Sequence, residues 1–113
     1  MKIADIIESL HLKVFTEGVE LTREIKGAYV SDLLSDVMGF AEEGQVWITV
    51  QSHLNTVAIA SLKDMAAIIF VKDITPAQEV VKKAENEKIV LLGTEEYAFE
   101  VAGQLYEAIK NDE

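Results

Sequence analysis

Hydrophobic positions along the chain follow two different spacings, and their alternation predicts helices and strands in turn. Near the N-terminus, Ile3, Ile6, Ile7 and Leu10 recur at i, i+3, i+4 and i+7, which is the apolar stripe of a short helix. The apolar runs "QVWITV", "AAIIFV" and "KIVLLG" are instead typical of strands that are covered on both faces. A segment with helical spacing follows each run, so the pattern predicts three consecutive strand–helix units.

Two further extended segments precede these units. "KVFTEG", which ends at Gly18, predicts a brief strand, and "REIKGAYVSD" predicts a strand that ends at Ser31-Asp32. The segment "DLLSDVMGFAEEG" then predicts a helix that Ser31 caps and Gly44 ends. The order of elements predicts an α/β fold, a three-layer αβα sandwich with a mostly parallel sheet of four or five strands and right-handed crossovers.

Three further helix starts are predicted from cap residues. Thr75, Pro76 and Glu79 together are typical of a helix start, with Thr75 as the N-cap and Pro76 at the first helical position. Ser52 is predicted to cap the helix after "QVWITV", and Thr94 to cap the last helix.

Length and composition indicate a single domain over residues 1–113. Half of the residues are hydrophobic, and no linker rich in Pro, Gly or Ser divides the chain. The absence of cysteine excludes disulfides, thiolate catalysis and Cys-based zinc sites, and it fits a cytoplasmic location. No apolar stretch approaches the roughly 20 residues that span a bilayer, and the N-terminus lacks a signal-peptide pattern.

The net charge of the chain limits the classes of binding partner that we expect. Ten Lys and Arg face twenty Asp and Glu, which gives a net charge of -10. Such a chain repels phosphate backbones and anionic membrane surfaces, so neither nucleic acid nor membrane is expected to bind. A protein partner and a small ligand are the classes of partner that remain compatible with this charge.

Polar residues follow the predicted parallel strands where each strand ends. Ligands of open parallel sheets bind at this edge, where helix N-termini also point. The same residues could equally serve as turns and caps between strand and helix. The candidate ligand-binding residues are Gln51, Ser52, His53, Asn55, Lys72, Asp73, Gly93 and Thr94.

No recognisable catalytic signature is present. The chain lacks the phosphate-binding loop G-x-x-x-x-G-K-[ST], the dinucleotide fingerprint G-x-G-x-x-G and the nucleophile motif G-x-S-x-G. His11 and His53 are too scattered for a metal site, so neither metal nor cofactor is expected. One enzymatic alternative is a general base at His53 oriented by Asp32 or Asp73, although no nucleophile accompanies it.

A family resemblance covers nearly the whole chain. The segments "MKIADIIESLHLKVFTEG", "VWITVQSHLNTVAIASL" and "AAIIFVKDITPAQEVVKKAENEKIVLLGTEEYAFEVAGQLY" resemble DRTGG domains, which are similar to the non-catalytic αβα N-terminal domain of HPr kinase/phosphatase. The namesake Asp-Arg aligns with Ser52-His53, and Thr-Gly-Gly aligns with Val71-Lys72-Asp73. The sequence therefore departs from the family motif at both places while keeping the following Pro76.

The resemblance implies a role without catalysis. DRTGG domains occur as modules of CBS-domain pyrophosphatases and phosphotransacetylases, which implies a regulatory or dimerising function. The segment "TVQSHLN" is similar to the corresponding segment of a stand-alone subgroup found beside [FeFe]-hydrogenase genes in anaerobic bacteria. We expect a homodimeric regulatory or assembly module, linked to a hydrogenase system or anaerobic energy metabolism, with Trp47, Phe40 or Tyr106 meeting the second copy. The alternative is a sensor of a nucleotide or another anion at the strand edge.

Overall fold

A computed structural model describes residues 1–112 and contains five strands and five helices. Strands and helices alternate after β2, as the sequence pattern predicts. The elements are α1 (Ile3–Leu10), β1 (Lys13–Val14), β2 (Ala28–Val30), α2 (Leu34–Phe40), β3 (Val46–Thr49), α3 (Leu54–Leu62), β4 (Ala67–Phe70), α4 (Gln78–Glu87), β5 (Val90–Gly93) and α5 (Ala98–Asn111).

The five strands form one sheet in the order β1-β5-β4-β3-β2. Strands β2 to β5 are parallel and in level register, since Val30 lies opposite Ile48, Ile48 opposite Ile69, and Ile69 opposite Leu92. Strand β1 pairs antiparallel with β5. The four parallel strands therefore end together along one side of the sheet, which we call the carboxyl edge. The predicted mostly parallel sheet is confirmed.

Both faces of the sheet are covered, because successive strand residues point to opposite sides. In β3, Val46 and Ile48 join the core beneath α1 and α5, whereas Trp47 joins the core beneath α2, α3 and α4. Every residue of β3, β4 and β5 is buried. This arrangement is the predicted three-layer αβα sandwich. Within residues 1–112, no helix is long and apolar enough to cross a membrane.

Trp47 belongs to the core and not to the surface. Its side chain is 0% exposed, and its indole Nε1 donates a hydrogen bond to the Ser31 carbonyl at 2.8 Å. The expectation that Trp47 meets a second copy is therefore wrong. Phe40 and Tyr106, by contrast, are 72% and 67% exposed.

The predicted helix caps are wrong. Helices α3, α4 and α5 begin after His53, Ala77 and Tyr97, which follow the expected caps, and none of these three residues caps with its side chain. The expected Thr94 cap accepts instead the Glu96 N–H at 3.2 Å. Ser and Thr form such local turns with the backbone two residues on, and here the turn precedes the helix.

Helix α2 differs from its prediction at both ends. Ser31 does not cap it, because the Ser31 Oγ accepts the Leu33 N–H at 3.2 Å and the helix starts only at Leu34. The helix ends at Phe40 instead of Gly44, because Ala41 is extended and buried. Burial of Ala41 outweighs the helix propensity of the residues that follow it.

Candidate functional site

The candidate residues lie at the carboxyl edge, most of them on loops, with Gly93 at the end of β5 and Asn55 in the first turn of α3. The loops 50–53, 71–77 and 94–97 follow β3, β4 and β5, whose ends are level in the sheet. The loop 31–33 follows β2 at the same edge. The predicted gathering of the four strand ends is confirmed. The candidates do not form a single site, however, because they divide between two depressions and one structural network, while Lys72 lines neither depression and holds its ammonium over the Tyr97 ring.

Gln51 belongs to a hydrogen-bond network that shapes the loop after β3. Its side-chain Nε2 donates to the Asp32 carbonyl at 3.0 Å. The Asp32 carboxylate accepts the buried Thr49 hydroxyl at 2.8 Å and the Val50 N–H at 2.9 Å. Gln51 and Asp32 therefore join the loops after β2 and β3, and the Asp32 carboxylate is engaged there.

Ser52, His53 and Asn55 line a shallow groove between the first turns of α3 and α4. The groove has a volume of about 480 Å³ and also includes Glu79. Among the bonds and ion pairs within residues 1–112, none joins His53 to Asp32 or to Asp73. The alternative of a general base at His53 with a carboxylate orienter gains no support from these bonds.

Asp73, Gly93 and Thr94 line a separate cleft of about 630 Å³, which we call the β1 cleft. It lies where the start of β1 meets the loops after β4 and β5. The lining residues are Ser9, Leu10, His11, Lys13, Phe15, Asp73, Ile74, Gly93, Thr94, Glu95, Glu96 and Gln104.

His11 and Lys13 are cleft residues that the sequence analysis missed. Antiparallel pairing sets Lys13 opposite Gly93, and so brings the beginning of β1 to the carboxyl edge. His11 ends α1 in a left-handed conformation with φ 55° and turns the chain into β1. A strand pairing that is distant in sequence creates this wall, so no local signal at His11 could have revealed it.

Phe15 closes the cleft next to β5. Its ring stands so close to Gly93 that a Cβ on Gly93 would lie 2.5 Å from the ring. Lys13 holds its ammonium over the same ring, 5.6 Å from the centroid, a distance at which a cation and an aromatic face attract each other. The ring therefore supports both the floor of the cleft and its lysine.

The charge in the β1 cleft is mixed, with more acid than base. Asp73, Glu95 and Glu96 contribute carboxylates, and Lys13 contributes the ammonium. Gln104 donates to Glu96 at 3.2 Å. Within residues 1–112, no cluster of three or more His, Asp or Glu side chains is arranged to hold a metal ion. A ligand with several negative charges would meet repulsion here unless a cation accompanied it.

The turn after β4 is strained. Lys72 and Asp73 are consecutive non-glycine residues in the left-handed conformation, with φ of 62° and 60°. The Lys72 N–H donates to the Glu96 carbonyl and the Asp73 N–H to the Thr94 carbonyl, both at 2.9 Å. These bonds hold the turn against the loop after β5.

The positions of Lys72 and Asp73 align with the Gly-Gly of the family motif that the sequence resembles. Glycine adopts positive φ without steric cost, whereas most other L-residues cost roughly 1–2 kcal/mol there, with Asn and Asp the most tolerant. Backbone strain of this kind clusters at functional sites. The shape of the turn therefore matches what Gly-Gly favours, although the residues differ.

Replacing Asp73 with glycine is expected to stabilise the protein by about 0.5–1 kcal/mol, because the relief of left-handed strain exceeds the entropy cost of glycine. Chemical denaturation monitored by circular dichroism measures the change. The matched control, Lys82→Gly in the middle of α4, should destabilise by about 0.5–1 kcal/mol. Equal losses for both variants would show that the turn is not strained.

Comparisons with known proteins support a fold for this chain but do not assign it to a family. No model of a known family matches the sequence, and no curated protein is a significant match. One solved structure that the chain resembles contains the CBS and DRTGG domains of the regulatory region of Clostridium perfringens pyrophosphatase, complexed with the activator diadenosine tetraphosphate. The TM-score is 0.71 at 15% identity, over 91% of this chain and 45% of that chain. The likeness supports a DRTGG-like α/β fold.

Proposed function

We propose that the chain is a non-catalytic regulatory module that binds a small ligand in the β1 cleft. The observation that carries the proposal is the strained turn at Lys72 and Asp73, which is held against the loop after β5 and lines this cleft through Asp73. A fold that stores strain at an exposed turn can use ligand contacts there to shift between conformations.

Adenine nucleotides are the ligand class that we propose. One structural neighbour is a regulatory region that was solved with the activator diadenosine tetraphosphate. In the β1 cleft, Lys13 offers a cation for phosphate, and the Thr94 hydroxyl and Gln104 amide offer polar contacts. The carboxylates of Asp73, Glu95 and Glu96 oppose free phosphates, so Mg²⁺ should strengthen nucleotide binding by neutralising part of the phosphate charge.

Thermal unfolding in the presence of AMP, ADP, ATP and diadenosine polyphosphates, each with and without Mg²⁺, tests the proposal. A ligand at ten times its dissociation constant adds about 1.4 kcal/mol to the free energy of unfolding. That increment corresponds to a rise in Tm of several degrees for a domain of about 100 residues. No shift with any nucleotide would contradict the sensor function.

Two variants with the same charge change locate the site. Lys13→Gln should abolish most of the nucleotide-dependent shift, whereas Lys82→Gln on the exposed side of α4 should retain it. His53→Ala tests the groove between α3 and α4. A shift that survives Lys13→Gln but disappears in His53→Ala would move the site to that groove.

We further propose that the module is homodimeric and acts in the cytoplasm. The support for a dimer is the exposed apolar surface, which includes Phe40 and Tyr106. A functional link to an [FeFe]-hydrogenase, or to anaerobic energy metabolism more widely, is proposed from the segment "TVQSHLN" alone. Its test is whether a purified hydrogenase system responds to the added protein, with the Lys13→Gln variant as the comparison.

A further inference from the structure

Strand β2 leaves one side of the sheet open. Parallel pairing with β3 uses alternate residues, as the bonds from Val46 N–H to the Gly27 carbonyl and from Ser31 N–H to the Ile48 carbonyl show. The N–H and C=O groups of Ala28 and Val30 therefore point away from β3. An open row of donors and acceptors is a template for another strand.

An apolar groove runs along this open edge. It has a volume of about 460 Å³ and lies between β2 and α5. Ala28, Val30, Ala102, Tyr106 and Ile109 are among its lining residues. Val30 is 50% exposed although it is β-branched and lies within a strand. Backbone groups and apolar surface are thus left open at the same place.

We infer that β2 pairs antiparallel with β2 of a second copy about a two-fold axis at Tyr29, which joins two sheets into one of ten strands. This inference rests on the proposed homodimer and names its interface. The outward groups of Ala28 and Val30 match this register, since Ala28 of each copy faces Val30 of the other as a hydrogen-bonded pair. Four intermolecular backbone hydrogen bonds result.

The charges that flank β2 are compatible with this direction of pairing, although the Asp32 carboxylate is also engaged with Thr49 and Val50 of its own chain. Lys26 precedes the strand and Asp32 follows it, each three residues from Tyr29. An antiparallel pair brings Lys26 of one copy to the same end as Asp32 of the other, whereas a parallel pair would bring like charges together. Lys26 also pairs with Glu43 of its own chain, and Lys110 lines the groove.

The same axis brings the two apolar grooves together. Helix α5 packs on the face of the sheet that carries Ala28, and Ile109 of α5 is partly buried in the same core. Two-fold pairing of β2 places the two α5 helices side by side across the interface, and it covers Val30 and Tyr106 in both copies. A self-complementary surface is what a two-fold interface requires.

Sedimentation velocity of the full chain over about 1–100 micromolar tests the oligomeric state, and we expect a dimer. Val30→Pro removes the outward N–H without touching a bond to β3, and an edge strand tolerates such a proline. Association should weaken about tenfold or more, because the symmetry removes the hydrogen bond twice. Phe40→Lys on α2 is the control and should remain dimeric.

Cross-linking gives a second readout. Tyr29→Cys places the only thiol of the chain on the axis, where paired Cα atoms lie about 4.5 Å apart, within disulfide range. Oxidation should yield a covalent dimer, whereas the exposed control Leu33→Cys should not. A monomeric wild type overturns both the homodimer and this interface. A dimer that Phe40→Lys disrupts and Val30→Pro leaves intact overturns only the interface.

Discussion

Replacing Trp47 with alanine should lower the free energy of unfolding by about 3–5 kcal/mol, the range observed when large aromatic residues are removed from protein cores. Trp47 is 0% exposed and packs in the core beneath α2, α3 and α4. The substitution leaves a cavity in the core beside an interior strand, and it also removes the hydrogen bond from Nε1 to the Ser31 carbonyl. Chemical denaturation monitored by circular dichroism measures the loss.

Trp47→Phe is the informative control. Phenylalanine keeps most of the apolar volume but lacks the N–H, so the Ser31 carbonyl loses its donor and the expected cost is only about 1–3 kcal/mol. An alanine variant no less stable than the phenylalanine variant would contradict the core position of Trp47. Because Ser31 begins the loop after β2, both variants should also loosen the carboxyl edge.

The strands were predictable because strands that are buried on both faces consist mostly of apolar residues. Each of β3, β4 and β5 is a short and mostly apolar run, which is typical of a strand covered on both faces. The same property explains the misplacement of Trp47. An aromatic residue inside such a run is equally compatible with a core or an interface, and the packing of α2 and α3 decides between them.

Helix starts were less predictable because several polar residues compete for the same backbone donors. Thr94 was expected to cap α5, yet it binds the N–H two residues on, and the chain runs three more residues before the helix begins. Pro76 is buried ahead of α4 and does not take its first helical position. Tertiary packing sets these positions, whereas cap preferences contribute only about 1 kcal/mol.

The candidate site was half predictable. Level strand ends follow from parallel pairing, so the sequence located Asp73, Gly93 and Thr94 on one edge. It did not reveal that Ser52 and His53 face a different groove, because that division depends on how α3 and α4 pack. The opposite wall of the β1 cleft comes from an antiparallel strand pairing almost 80 residues apart in sequence.

Replacing Gly93 with alanine should destabilise the protein by about 1–3 kcal/mol, the cost typical of an overpacked core. The new Cβ would lie 2.5 Å from the ring of Phe15, which directly follows β1, so the ring must move away from β5. The same substitution at Gly103 in α5 meets nothing within 4 Å and should stabilise the helix by about 0.5–1 kcal/mol.

Opposite signs for one substitution at two glycines separate steric exclusion from helix propensity. Phe15→Leu provides the decisive comparison, because a smaller side chain leaves room for the Cβ at residue 93. In the Phe15→Leu background, Gly93→Ala should therefore cost less than in the wild type, by about 1 kcal/mol or more in a double-mutant cycle. Additive effects would show that Phe15 does not stand over Gly93. A non-additive result would show that Phe15, which directly follows β1, packs on Gly93 of β5, and the β1 cleft of the ligand proposal requires that contact.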